Sequence, residues 1–187
     1  MRAAVWRTAV PGALLALLVG WYAWPEPAEP AVPVGQAQHR IEAELADVAG
    51  AFHPGLQWGE ARYDSDPDLK GLCGTSGCEK TGRSEMQARQ AARVRIASGR
   101  EAEPLDTVQA LWAAKGYPVR REGRSLEVKD SGFGLWFVSD ANGCAEVQVS
   151  VFNVTDISGE NGKGGFGQGP LDYAAQCATV DDPYWSH

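Results

Sequence analysis

Residues 133–152 read FGLWFVSDANGCAEVQVSVF, and the fold class follows from their alternation. Val147, Val149 and Val151 alternate with Glu146, Gln148 and Ser150. A period of two sends successive side chains to opposite faces, so this is a strand with one apolar face and one wet face. Phe133, Leu135 and Phe137 alternate in the same way with Trp136 and Val138. Between the two runs, Asp140-Ala141-Asn142-Gly143 carries Asn-Gly, a strong turn signal. The stretch therefore predicts an antiparallel hairpin of Phe133–Ser139 with Ala145–Phe152. One face of FGLWFV enters the core; the other must meet a helix, the C-terminal tail or a partner.

Working back towards the N-terminus, Tyr117–Arg121 and Ser125–Lys129 predict a second hairpin turning at Glu122-Gly123. Before it, Leu105, Val108, Leu111 and Trp112 form a helical stripe, with Pro104 in the opening turn and Gly116 beyond the end. Ile41, Leu45, Val48 and Phe52 repeat the helical spacing over Gln36–Phe52, stopped by His53-Pro54-Gly55. Ala92-Arg93-Val94-Arg95-Ile96 alternates as a strand with one basic face. Residues Ser84–Ala91 fit either a helix or an extension of that strand. Leu56–Tyr63 reads as a further strand leading into an acidic turn, Asp64-Ser65-Asp66-Pro67-Asp68. Together these give an α+β domain, helices packed on one face of a twisted antiparallel sheet.

The first 24 residues read as a membrane anchor. Arg2 and Arg7 precede an uncharged run of 17 residues, Thr8–Trp24. At about 1.5 Å per residue it spans roughly 26 Å, close to the apolar thickness of a bilayer. Trp21, Tyr22 and Trp24 gather at its far end as an interfacial belt, and the arginines keep Met1 cytoplasmic. A cleaved signal, giving a secreted protein, is the competing reading; it lacks a small-residue cleavage pair just after the apolar run. Pro25, Pro27, Pro30 and Pro33 then favour an extended stalk over residues 25–37. The expected order is anchor 1–24, stalk 25–37, α+β domain 38–153, and a Gly-rich loop with C-terminal tail over 154–187.

The four cysteines fit that compartment. Cys73, Cys78, Cys144 and Cys177 form an even set, read as two disulfides in an exported chain. The expected pairing closes the short Cys73–Cys78 loop and staples the tail by Cys144–Cys177. Zinc is a poorer reading, because the last two cysteines stand far apart in sequence.

No catalytic motif rises above coincidence. Gly162-Lys163-Gly164-Gly165-Phe166-Gly167 matches G-x-G-x-x-G but precedes Gln168-Gly169-Pro170, not a helix. The three aspartates at 64, 66 and 68 lack the glycine and glutamate of a calcium loop. His39, His53 and His187 neighbour no nucleophile, and Asn153-Val154-Thr155 is a bare sequon. Accordingly neither a cofactor nor a metal is expected. The net charge of −7 argues against nucleic acid. Charge is nevertheless uneven: residues 80–129 carry 11 basic and 6 acidic groups, residues 130–187 carry 1 and 8. Arg93, Arg95, Arg120 and Arg121 would make a cationic patch if their strands were neighbours. The plainer reading pairs them with the protein's own acids.

An Arg-flanked anchor, a Pro/Ala-rich stalk and a compact ectodomain with two cysteine pairs resemble, in layout, small membrane-anchored or secreted proteins of high-GC Gram-positive bacteria. That resemblance implies no activity. The expected function is a membrane-tethered extracytoplasmic protein that docks another cell-envelope component, a protein in kind rather than a polymer, without catalysis. Two alternatives stand beside it: an extracellular hydrolase using carboxylates, and a binder of anionic envelope polymer or lipid headgroups through the arginines.

Overall fold

The computed structural model describes residues 30–74, 77–155 and 176–187, with side chains of 69–80 excepted. Ala31–His187 forms one compact unit. Six strands, β1 (Arg62–Gly74), β2 (Gly77–Ala91), β3 (Arg120–Glu122), β4 (Ser125–Lys129), β5 (Phe133–Ser139) and β6 (Ala145–Thr155), make one antiparallel sheet. Their spatial order is β1-β2-β6-β5-β4-β3. Among the described residues two helices, α1 (Val34–Gly50) and α2 (Ala102–Ala114), complete the α+β architecture.

The hairpin expected at 133–152 is present, with Phe133 opposite Val151 and Ser139 opposite Ala145. Phe133, Leu135 and Phe137 are buried, as are Val147, Val149 and Val151. α1 lays Ala37, Ile41, Leu45 and Val48 over this face, and α2 adds Leu105, Val108 and Trp112, so both helices share one continuous core. Helical spacing brings these side chains to one stripe of each helix, which is why each helix packs by a single face. Gly116 follows α2 at φ 81°, a conformation that glycine adopts without strain.

Several sequence expectations need correction. The acidic stretch Asp64–Asp68 is no turn: it lies within β1, which begins at Arg62. Residues 56–61 hold only an isolated bridge, Trp58 to Ala92. Ser84–Ala91 is the end of a 15-residue strand rather than a helix. Ala92–Ile96 does alternate, burying Ala92, Val94 and Ile96 and exposing Arg93 and Arg95. Ala92 still donates to Ala145 of β6, but beyond it the segment leaves the ladder, because its partners are short pieces: Gln57, Gly143 and Val180. β3 is shorter than expected, three residues. α1 opens at Val34, inside the segment read as stalk, and Val32 already bridges to Val154.

Cys144 and Cys177 form a disulfide, with Cα atoms 5.7 Å apart. The tail is held by more than this bond. Val180 bridges to Val94, and Trp185 is 3% exposed, edge-on to Phe52 at 5.9 Å between ring centroids. Its indole N–H donates to the Pro54 carbonyl at 3.3 Å. The anchor 8–24, the stalk before residue 30, and the glycine motif 162–167 lie outside the described residues, as do the side chains of Cys73 and Cys78. No helix among the described residues is long and apolar enough to cross a membrane.

Candidate functional site

With α1 and α2 on one face, the other face of the sheet is built from the alternate residues of each strand. Strand register lines these up in rows. One row crosses all six strands: Arg62, Arg89, Gln148, Trp136, Glu127 and Arg120. The next holds Asp64, Gln87, Ser150, Gly134 and Lys129. On the other side of the first come Ala91, Glu146, Val138, Ser125 and Glu122. Directly opposed side chains in such rows touch one another, so each row works as a unit.

At the centre, hydrogen bonds tie the rows together. Gln148 Nε2 donates to Gln87 Oε1 at 2.8 Å and to Ser150 Oγ at 3.3 Å. Gln87 Nε2 in turn reaches Asp66 Oδ2 at 3.5 Å. Trp136 and Phe152 are half-buried on this face. A β-carbon added at Gly134 would come 3.3 Å from the Phe152 ring, so the glycine makes room for that ring to lie across β5. The result is a shallow depression of about 280 Å³, bordered by Trp136, Phe152, Glu85, Glu127, Gln148 and Ser150. Lys129 Nζ at its rim pairs with Glu127 Oε1 at 2.7 Å.

Glu146 shares the face but behaves differently. It is 3% exposed, and its Oε1 has no hydrogen-bond partner. Burial pushes its carboxyl up to about 7, with the positive charge of Arg89 countering only in part. Across the ladder it faces Ala91 and Val138, not a second acid. The other buried acid among the described residues, Glu44 of α1, is on the helix side and is satisfied by Lys115 and Tyr117.

The four arginines do not converge. Arg93 and Arg95 follow β2, whereas Arg120 and Arg121 lie on β3, four strands away, roughly 19 Å at the usual strand spacing. Arg121 turns to the helix side and donates to Asp106 Oδ1 at 2.6 Å and Gln109 Oε1 at 3.1 Å. Arg120 lies 3.9 Å from Glu122 Oε1, at the end of the row containing Trp136. Arg93 lines a separate depression of about 460 Å³ with Trp58, Gly59, Glu60, Gln176 and Thr179. Its Nε donates to Thr179 Oγ1 at 3.3 Å. Arg95 is exposed.

Glu85, Gln87 and Glu127 were not singled out by the sequence, although their signal is readable in retrospect. Glu85-Met86-Gln87-Ala88-Arg89 alternates polar with apolar, and Met86 and Ala88 are fully buried. Among the described residues no group of three His, Cys, Asp or Glu side chains is placed to hold a metal ion. Compared with known proteins, the chain matches no family model, no curated protein and no solved structure, so its chemistry is read from its own residues.

Proposed function

We propose that the chain is a membrane-tethered, extracytoplasmic binding protein that docks another cell-envelope component through the helix-free face of its sheet, without catalysis. The observation that carries this reading is the placement of Trp136. It is half-buried at the middle of a face that neither helix covers, between Gln148 and Glu127. An aromatic ring among hydrogen-bonding groups is the composition of a recognition surface. Residues 8–24 supply the tether on the strength of their apolar run.

The edges of the sheet are poor places for a partner strand. β1 carries Pro67 beside a register irregularity, flanked by Asp66 and Asp68, and β3 offers only three residues. Proline, bulges, charge and short length all discourage edge pairing. Hydrolysis through paired carboxylates is less well supported, since Glu146 faces aliphatic neighbours and, of the two acids at the depression, Glu127 is paired with Lys129. A purely cationic docking patch is also less well supported, since Arg121 is engaged by Asp106.

The test is a photo-cross-linking amino acid placed at position 136 of the full chain in its native membrane, with position 46 on the exposed side of α1 as control. A discrete adduct from 136 and none from 46 is the expected result. Identical adducts from both positions, or none from either, would overturn the reading.

A further inference from the structure

The depression between Trp136 and Phe152 has a composition that narrows what it receives. It combines two aromatic faces with side chains that accept and donate: Glu85, Glu127, Gln148 and Ser150. Among the described residues the one exposed large hydrophobic side chain is Tyr184, whose ring lies under the Arg100 guanidinium and edge-on to Trp185 rather than in this depression. The apolar centre that a protein partner normally buries is therefore small here.

Charge narrows it further. Lys129 is the one cation bordering the depression, and Glu127 neutralises it at 2.7 Å. Among the described residues no cation pairs with Glu85, which lies at the border next to Asp66 across β1. At the depression itself an anionic ring would meet net negative charge, whereas a neutral or ammonium-bearing one would not; Arg62, Arg89 and Arg120 lie further along the same row as Trp136.

From these observations we infer that the depression binds one ring of a hydroxyl-rich saccharide chain that is uncharged or carries amino groups. This deepens the docking reading above and rests on it. A sugar ring has an apolar C–H face, which stacks on indole or phenyl, and a rim of hydroxyls that both donate and accept. Trp136 and Phe152 provide the stacking faces. Glu85 and Glu127 accept hydrogen bonds from hydroxyls, while Gln148 and Ser150 have both donor and acceptor capacity. A volume of about 280 Å³ accommodates a single ring, with the rest of the chain running over the sheet. The flat face suits a polymer, because rows of polar groups continue on either side of the depression.

The experiment titrates the full-length protein in detergent with chitotetraose and its deacetylated, cationic form, with tetragalacturonate as the anionic comparison. Calorimetry and the indole resonance of Trp136 report binding. The expected result is saturable binding of one or both of the first two sugars, weakened roughly tenfold or more by Trp136→Ala, as for a central aromatic anchor. Glu127→Gln should weaken it severalfold with the fold intact, which covers the case that Trp136→Ala unfolds. Tetragalacturonate binding as tightly, or affinity unchanged in both variants, would overturn the inference. No sugar binding together with a protein adduct at position 136 would overturn it while leaving the docking reading standing. No sugar binding and no adduct would remove both.

Discussion

Lys115, just beyond the end of α2, donates to Glu44 of α1 across 2.6 Å, and Tyr117 donates to the other oxygen of the same carboxylate at 2.6 Å. Glu44 is 5% exposed, so this carboxylate is taken out of water and given two donors in return. Lys115 also reaches Asp47 at 2.8 Å. The cluster fixes how the end of α2 meets the middle of α1 over the same core. Glu44→Ala would leave a phenol and an ammonium without their main acceptor. Hydrogen bonds to charged groups are worth about 1.5–3 kcal/mol, and a loss in that range is expected. Lys115→Met should cost less, because Tyr117 stays in place and Lys115 is partly solvated. Denaturant unfolding of both variants and of the double variant measures the coupling.

Glu146 gives the fold a pH dependence of definite sign. Its folded value of about 7 lies above the ordinary 4.5, so the folded state holds a proton that the unfolded state has released between those limits. Its contribution is fully present below pH 4.5 and is lost as pH rises through 7. At about 1.4 kcal/mol per pH unit, the window corresponds to roughly 3 kcal/mol. Glu146→Gln, close in shape to the protonated acid, should unfold at higher denaturant than the parent at pH 8 and at a similar midpoint at pH 4.5. Parallel pH profiles for the two proteins would refute this.

The Cys144–Cys177 bond closes a loop with a sequence separation of 33. Loop-closure entropy for that length gives about 3–4 kcal/mol. Cys177→Ser should lower stability by about that much and redden the emission of Trp185, which sits 3% exposed on the segment the bond holds. An unchanged unfolding midpoint would mean that Val180 and Trp185 secure the tail by themselves.

Gly143 sits in the loop between β5 and β6 at φ 79°, and an added β-carbon would collide with the Ile96 carbonyl oxygen. Gly143→Ala combines left-handed backbone strain, about 1–3 kcal/mol, with that clash. The expected loss is at least about 2 kcal/mol, against a small change for Gly55→Ala, where the space is open. Equal midpoints for the two variants would show that the loop relaxes at no cost.

The parts of the fold legible in the sequence are those where apolar periodicity is strong. Val147-Gln148-Val149-Ser150-Val151 and the stripe of Leu105, Val108 and Trp112 each have bulky residues at every core position. The long β1–β2 hairpin was obscured for the opposite reason. Its core-facing residues include Ser84, Met86 and Ala88, and its outer residues include Asp64, Asp66, Glu85 and Arg89, so composition resembles a polar loop. The site was half legible. Alternation placed Gln148 and Ser150 away from the core and set Trp136 opposite Phe133, Leu135 and Phe137 without deciding which set was core, and only the strand order brings Glu85 and Glu127 to the same depression. That order also separates the arginines of β3 from those after β2, a separation no local pattern encodes.

β6 has one further consequence. Val32, where the chain joins the domain, is hydrogen-bonded at the Thr155 end of that strand, and Cys177 is bonded at its other end through Cys144. Val32 and Cys177 are thereby held near opposite ends of an 11-residue central strand, which bends at Asn153, where φ is 58°. Tension applied between residues 32 and 177 would run lengthwise along this beam, leaving the rows that cross the sheet undistorted, so a ligand seated on them need not be shed under load.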